Sequence, residues 1–405
     1  MVVQAHPDSV YTVGEKFGTV GLVFGEQRIE ITTFRAEWYD PGSRKPHVRF
    51  GTTLEEDLAR RDFTVNAMAQ DARTGELIDP FGGRPDLDAR LVRAVGVPEE
   101  RFAEDPLRLL RAVRFAVQLG FGIEKETSRA IKACAPLIQQ VSKERISEEL
   151  NKVLLSPDPA RGVRLLVELD LARYVLPDLL PLQSLREEER RHKDVFEHTL
   201  RVLEMVPADP VLRWAALLHD VGKPLTVRWE DGQVHFPGHE RVGEEMARHI
   251  LTGLRMDRDT VERVARLIGL HMRANLYSSD WTDGAVRRLM RDAGDELDEL
   301  LVLSRADITS HKPRKVAAAV ARVAELEGRT RRIEEQENVA ALTSPLNGHE
   351  LMEMFHRPPG RWIQEVKDYL LNLVLEGKLG AEDKETAGKL ARDFVEKSEG
   401  GRSAA

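Results

Sequence analysis

Cysteine is almost absent. Cys134 is the single one in 405 residues, so no internal disulfide can form and no Cys-based zinc site can be built. It falls in the helical-looking Ala130-Ile131-Lys132-Ala133-Cys134, where a buried, inert thiol is expected. The sequence also lacks an apolar run long enough to cross a bilayer and a secretory h-region, which excludes a membrane-embedded reading and points to the cytoplasm. Nor is there an excess of positive charge: 60 Lys+Arg stand against 68 Asp+Glu, a net charge of −8. That balance excludes a uniformly basic nucleic-acid coat while leaving room for local basic patches. What is present, 41% hydrophobic and 32% charged residues, is the composition of a globular chain long enough for about two to four domains.

The first hundred residues read as short strands. Val10-Tyr11-Thr12-Val13 alternates, and Gly18 to Phe24 and Arg28 to Arg35 follow as two strand-like runs. Gly25-Glu26-Gln27 reads as the hairpin turn between them. Glu30 lies between Ile29 and Ile31 and so faces away from both: a solvent-facing residue, or a carboxylate held rigidly beside a cleft. From Leu54 to Met68 the spacing of Leu54, Leu58, Phe63 and Ala67 predicts a helix. Arg60 and Arg61, with Asp62 and Asn66 four apart on one face, form a cluster able to hold a triphosphate and a ribose. Leu77 to Gly83 reads as a short strand entering a tight turn.

The stretch Glu104-Asp105-Pro106-Leu107-Arg108 reads as the start of a helix reaching about Leu119, with carboxylates and a proline at its positive end. Arg108, Arg111 and Arg114 recur every three residues and form a stripe. Asp105 beside Arg108 offers acceptors next to donors, which is what the edge of a base can be read with; an ordinary surface salt bridge is the simpler alternative. An exocyclic amine of C or A would suit the carboxylate, whereas U and G present carbonyls there, a mismatch costing on the order of a buried unpaired charged hydrogen bond.

Taken in order, FGTV, EITTFR, LEEDLARRDFTVNAMA, DPFGG and EDPLRLLRAVRFA resemble the motifs of class II tRNA nucleotidyltransferases (CCA-adding enzymes) and bacterial poly(A) polymerases. The resemblance implies a fold that is α+β and mostly α: a partial polymerase-β-like head with an incomplete antiparallel or mixed sheet, then a helical neck, an HD domain and a helical tail. It implies RNA 3′-end nucleotidyl transfer from CTP and ATP, with tRNA or another RNA 3′ end as partner. Arg60, Arg61, Asp62 and Asn66 would hold the triphosphate and ribose, Asp105 and Arg108 would read the base, and Arg111 and Arg114 would assist. Glu30 matches a strand-borne third acidic position. The family's head also carries a Gly-Gly segment, an Arg-Asp pair and an Asp-x-Asp that holds catalytic Mg2+; none precedes Val10. The expectation is therefore a chain missing the first fifty or so residues of that head, with the main Mg2+ site of the transfer absent.

Seven of the twelve histidines lie between His192 and His271. His198, His219-Asp220 and Asp307 fall on successive apolar-rich helices, where a charged Asp needs a partner or a metal. The pattern resembles the HD phosphohydrolase superfamily, and His239 and His271 match additional ligands of its two-metal members. Mixed imidazole and carboxylate ligands suit a divalent transition metal or Mg2+. A second reading is thus a metal-dependent phosphohydrolase acting on RNA-end or nucleotide phosphates, and a third is a non-catalytic tRNA-binding remnant.

The expected division is a head over 1–95, a neck over 96–156, a helical body or linker over 157–190, the HD domain over 191–310, and a helical tRNA-binding tail over 311–398. Residues 399–405 are expected to be disordered. Lys143, Arg145 and Lys152 in the neck, with Lys312, Arg314 and Lys315 in the tail, are candidate RNA-backbone contacts, or simply solvated helix faces.

Overall fold

The computed structural model describes residues 6–11, 18–38, 47–51, 53–185, 194–231, 233–308, 313–336 and 342–400. Two compact units emerge: Met1–Ser184 together with Gly253–Met256, and Leu185–Thr252 together with Asp257–Ala405. No helix among the described residues is long and apolar enough to cross a membrane.

The first unit begins with an antiparallel three-stranded sheet of order β1-β2-β3: β1 (Ser9–Tyr11), β2 (Thr19–Phe24) and β3 (Gln27–Thr32). The expected hairpin is present, Phe24 pairing with Gln27 around a Gly25 at φ 56°. The predicted run to Arg35 is interrupted: β3 stops at Thr32, and Arg35 opens β4 (Arg35–Trp38), which pairs with β5 (His47–Phe50). As an edge strand β3 lies open, so Ile29 and Ile31 are exposed rather than buried opposite Glu30. Thr12 and Val13 of the first predicted strand lie outside the described residues.

The helix predicted over Leu54 to Met68 is shorter. α1 (Leu54–Ala59), opened by a Thr53/Glu56 capping box, ends where Arg61–Phe63 turn away. Val95 N–H donates to Asp62 O, Thr64 N–H to Arg93 O, and Phe63 forms a bridge with Ala94. This long-range pairing carries Phe63 into full burial and outweighs helical periodicity. A 3-10 turn follows at Thr64–Asn66, then the hairpin β6 (Ala69–Gln70) and β7 (Leu77–Ile78). In the tight turn after Ile78, Asp79 accepts from Gly83 N (2.7 Å) and Arg84 N (2.9 Å), opening α2 (Gly83–Asp88).

β8 (Leu91–Val92) leads to α3 (Pro98–Glu104) and α4 (Leu107–Leu119). Glu104 is thus the last residue of one helix, not the first of the next. The residue before a proline is driven out of the helical region, and Asp105 sits at φ −143°, ψ 98° ahead of Pro106. β9 (Gly122–Ile123) pairs in parallel with β8. α5 (Lys125–Cys134) and α6 (Lys143–Leu154) are capped by Glu124 and Ser142, whose side chains accept from Thr127 N and Arg145 N. Asp158 and Pro159 open α7 (Pro159–Glu168); α8 (Ala172–Val175) and α9 (Leu180–Ser184) close the unit. α4 packs on α6 and α7 and buries Leu109, Leu110, Ala112, Val113 and Ala116. Cys134 is half-buried, and burial pushes its thiol up, consistent with an inert side chain.

In the second unit, α10 (Val195–Met205), α11 (Pro210–Leu218) and the short α12 (Lys223–Thr226) precede the hairpin β10 (Arg228–Glu230) and β11 (Gln233–His235). Then come α13 (His239–Gly253), α14 (Arg258–Asn275), α15 (Asp283–Ala293), α16 (Leu297–Ala306) and α17 (Pro313–Gln336). α18 (Gly348–Phe355), α19 (Arg361–Leu375) and α20 (Lys384–Gly400) share a small core of Leu351, Val366, Leu370 and Ala391. Glu399 and Gly400, expected to be disordered, close α20.

Candidate functional site

The first unit holds an open pocket of about 590 Å³, lined by Thr19, Thr32, Arg60, Arg61, Asp62, Asn66, Asp105, Leu107, Arg108, Arg111, Phe115 and Arg145. Its basic end is organised from below by Asp57, a buried carboxylate on α1. Asp57 Oδ1 accepts from Arg60 Nε (3.1 Å) and Nη2 (2.7 Å), and Oδ2 accepts from Arg61 Nη2 (3.4 Å). Arg61 Nη1 also donates to Asn66 O (3.0 Å). Asp62 and Asn66 do meet, Asn66 Nδ2 donating to Asp62 Oδ1 (3.1 Å), but across a bend and a 3-10 turn rather than along a helix face. The other Asp62 oxygen accepts from Arg111 Nε (2.8 Å) and Nη2 (2.5 Å), which joins this segment to α4.

At the other end, Asp105 and Arg108 both line the pocket, each held by different partners. Arg108 Nη1 donates to Glu104 Oε2 (2.8 Å) and Arg101 O (3.0 Å), and Nη2 donates to Arg60 O (2.8 Å). Asp105 accepts from Leu107 N (3.2 Å) and from Arg145 Nη2 (2.8 Å). The three-residue arginine stripe divides here. Arg111 lines the pocket, whereas Arg114 is buried behind it, paired with Glu149 (3.0 Å) and lying over the Phe115 ring at 4.3 Å. Burial pulls the Arg114 guanidinium down from its ordinary value despite Glu149.

Glu30 is exposed on β3 opposite Gly21. Two residues along the same face stands Thr32, whose hydroxyl meets that of Thr19 at 2.9 Å on the pocket wall. Of the expected RNA contacts, Arg145 joins the pocket and Lys152 pairs with Glu149 (3.1 Å). Lys143, Arg314 and Lys315 are exposed on the first turns of α6 and α17, and Lys312 lies outside the described residues.

The second unit brings its six expected ligands together. His198 Nε2 lies 2.9 Å from Asp307 Oδ1 and 3.4 Å from Asp220 Oδ2; His219 Nε2 is 3.2 Å from Asp220 Oδ2. Asp220 Oδ1 faces His239 Nε2 at 3.5 Å. Two groups of potential ligands share Asp220: His198, His219 and Asp220, and Asp220, His239 and His271. In His219, His239 and His271 the Nδ1 atom sits on the carbonyl three residues back, Ala216 (2.8 Å), Phe236 (2.9 Å) and Ile268 (2.6 Å). A carbonyl only accepts, so each Nδ1 carries the proton and each Nε2 keeps its lone pair for the centre.

The Nε2 atoms of His239 and His271 are buried without a hydrogen-bond partner. Burial holds the His198 and His239 imidazoles below their ordinary range and takes His271 to about 4. For His219 burial acts in the same direction, but Asp220 beside it prevails and raises it. Burial alone would raise Asp220 and Asp307; the surrounding imidazoles, with Lys223 beside Asp220, hold both well below the carboxylate range. Ligand atoms 2.9–3.7 Å apart suit metal–ligand bonds of about 2.0–2.2 Å. The residues fit a divalent cation.

Sequence reasoning missed several participants. Lys223 Nζ pairs with Asp220 Oδ2 (2.6 Å), and its position three residues after Asp220 was a usable signal. Asp57 holds Arg60 and Arg61 at i,i+3 and i,i+4, an equally usable signal, whereas Asn275 Nδ2 donates to Asp307 Oδ2 (2.5 Å) across 32 residues, which no spacing singles out. Thr19, Thr32 and Phe115 reach the pocket only through the tertiary fold.

The chain is similar to known proteins along nearly its whole length. Residues 1–93 match the poly A polymerase head domain, residues 120–182 the probable RNA and SrmB-binding site of polymerase A, and residues 195–311 the HD domain. An A-adding tRNA nucleotidyltransferase from Deinococcus radiodurans is 34% identical, the alignment covering 97% of this chain and 90% of the relative. A CC-adding tRNA nucleotidyltransferase from Thermus thermophilus is also 34% identical, over 98% and 86%. The crystal structure of the Bacillus stearothermophilus CCA-adding enzyme in complex with CTP superposes with a TM-score of 0.63 at 29% identity, over 98% of this chain and 87% of that one.

Proposed function

The chain belongs to the family of class II tRNA nucleotidyltransferases and bacterial poly(A) polymerases, and from that premise we propose that it adds nucleotides from CTP and ATP to the 3′ end of tRNA in the cytoplasm, in CCA addition or repair. The observation that carries the reading is the pocket in which Arg60, Arg61, Asp62, Asn66, Asp105, Arg108 and Arg111 converge. Arg60 and Arg61 hold the triphosphate, with Asp57 fixing their guanidinium planes. Asp62 and Asn66 take the ribose hydroxyls. Asp105 accepts from the exocyclic amine of C or A, and Arg108 donates to the neighbouring ring acceptor. Arg111 lies between Asp62 and Phe115, while Arg114 acts from behind that ring.

Nucleotidyl transfer of this kind uses Mg2+ to stabilise the attacking and leaving oxygens. Among the described residues, every group of three metal-ligating side chains lies in the second unit. Glu30, the exposed carboxylate on β3, does not make such a site alone. The test uses the 405-residue chain with tRNA lacking its terminal residues, labelled CTP and ATP, and Mg2+. Nucleotide binding with 3′ extension supports the reading; failure to extend the tRNA overturns it, whether or not the nucleotide binds.

A second activity is favoured by the orphaned Nε2 atoms of His239 and His271. With His198, His219, Asp220 and Asp307 they would hold one or two divalent cations, a transition metal or Mg2+, which when bound would polarise a phosphate and activate water. The substrate class is an RNA-end or nucleotide phosphate, such as a 2′,3′-cyclic phosphate. Metal-dependent hydrolysis of 2′,3′-cyclic AMP should disappear in His219→Ala and Asp220→Ala; hydrolysis unchanged by both substitutions sinks the idea.

A further inference from the structure

Arg145 is a neck residue, third in α6, that sequence reasoning groups with RNA-backbone contacts. Its guanidinium instead crosses to the link between α3 and α4 and lines the pocket. We propose that Arg145 is a positioning residue for base discrimination: by holding the Asp105 carboxylate in plane and away from Arg108, it sets the preference for bases bearing an exocyclic amine. This inference rests on the base-reading role given to Asp105 and Arg108 above.

The geometry supports it in three ways. Asp105 is a single non-helical residue between Glu104 and Pro106, so its backbone is fixed by its neighbours while its side chain must be fixed by contacts. Leu107 N–H holds Oδ1 at 3.2 Å, a local bond about which the carboxylate can still swing. Arg145 Nη2 holds Oδ2 at 2.8 Å and removes that freedom. Each oxygen of a carboxylate accepts two hydrogen bonds, so with both atoms held once, each keeps a lone pair to offer the pocket.

The Arg108 guanidinium is held independently of the Asp105 carboxylate. Arg108 lies three residues after Asp105 and its backbone N–H donates to Asp105 O (3.0 Å), so the carboxylate and guanidinium are near enough in the chain to close on each other. A closed Asp105–Arg108 pair would turn acceptor and donor toward one another and present neither to a base edge. In the structure Arg108 is engaged by Glu104, Arg101 O and Arg60 O, and Asp105 by Arg145. Acceptor and donor are anchored separately and kept apart.

The third is the direction of the effect. Cytosine and adenine present an amine where uracil and guanine present a carbonyl. An acceptor fixed in place meets the carbonyl as repulsion, whereas one free to rotate can turn aside and tolerate it. Loss of Arg145 should therefore relax discrimination more than it weakens binding as a whole.

Equilibrium binding of CTP, UTP, ATP and GTP to the 405-residue chain tests this. The native chain should prefer CTP to UTP and ATP to GTP. Arg145→Ala should lower both preference ratios by about tenfold, the effect of one charged hydrogen bond. Arg145→Lys, which keeps the charge but not the planar fork, should recover part of each ratio. Inorganic triphosphate should bind all three proteins equally, and equal melting temperatures would show that the half-exposed Arg145 side chain is not needed for folding. If Arg145→Ala keeps both ratios, or weakens all four nucleotides by one common factor, the proposal is overturned. A native chain that binds no nucleotide, or shows no preference, overturns the base-reading role itself and the inference with it.

Discussion

The Nε2 atoms of His198 and His219 stand 3.3 Å apart, with Asp220 and Asp307 close to both. Two lone pairs at that distance repel unless a proton or a cation lies between them, and a cation satisfies both at once. Mn2+ or Ni2+ should therefore raise the unfolding temperature of the chain; at a hundredfold excess over Kd the stabilisation is about 2.7 kcal/mol. His219→Ala should abolish that shift. Removing the outer partner in Asn275→Ala should weaken metal affinity by about 10- to 100-fold while keeping all six ligands. Differential scanning calorimetry with and without chelator reads both effects.

Gly222 lies where the turn after Asp220 meets the start of α13. A Cβ there would lie 2.7 Å from Gly243 N and closer still to His239 O, both rigid backbone atoms. Gly222→Ala should displace His239 from Asp220 and remove the metal-induced stabilisation without touching a ligand. Metal titration by calorimetry should show fewer or weaker sites, and native binding in the variant would refute the packing argument.

Asp57→Asn keeps the shape but loses the charge that holds Arg60 and Arg61. Binding of CTP, UTP, ATP and GTP should weaken by a common factor of about ten, the loss of charge-assisted hydrogen bonding. The ratios among the four should stay as they are, the opposite signature to that expected of Arg145→Ala.

Arg114 and Glu149 form a buried pair, with Lys152 as a second partner of Glu149. Glu149→Ala leaves the Arg114 guanidinium buried without its counter-charge. The expected cost is about 3–5 kcal/mol, read by urea denaturation of the first unit's signal.

Legibility in the sequence followed the range of the interactions. The caps at Glu124, Ser142 and Asp158 act within a few residues, each side chain accepting from the N–H three positions on, the range at which sequence is most readable. His198, His219-Asp220 and Asp307 were legible because they lie on or just beyond the apolar helices α10, α11 and α16, whereas His239 and His271, on the more polar α13 and α14, were placed only by the resemblance. Long-range pairing was not legible: Phe63 bridging Ala94 ends the helix assigned over Leu54 to Met68, yet Asp62 and Asn66 still meet through the bend. A local rule, the restriction before Pro106, moved Glu104 from the start of one helix to the end of another. Arg145 could not be placed because the 40 residues separating it from Asp105 hide their contact.

The bond from Arg108 Nη2 to Arg60 O, 2.8 Å long, ties α4 to the end of α1 at the wall of the pocket. It works as a gauge. With the Arg111–Asp62 pair it keeps the residues that would read a base from drifting away from those that would hold phosphates. Purine and pyrimidine nucleotides differ in the reach from phosphate to amine, so a pocket serving both must let the gauge slide by the width of a ring or tilt the base to fit within it.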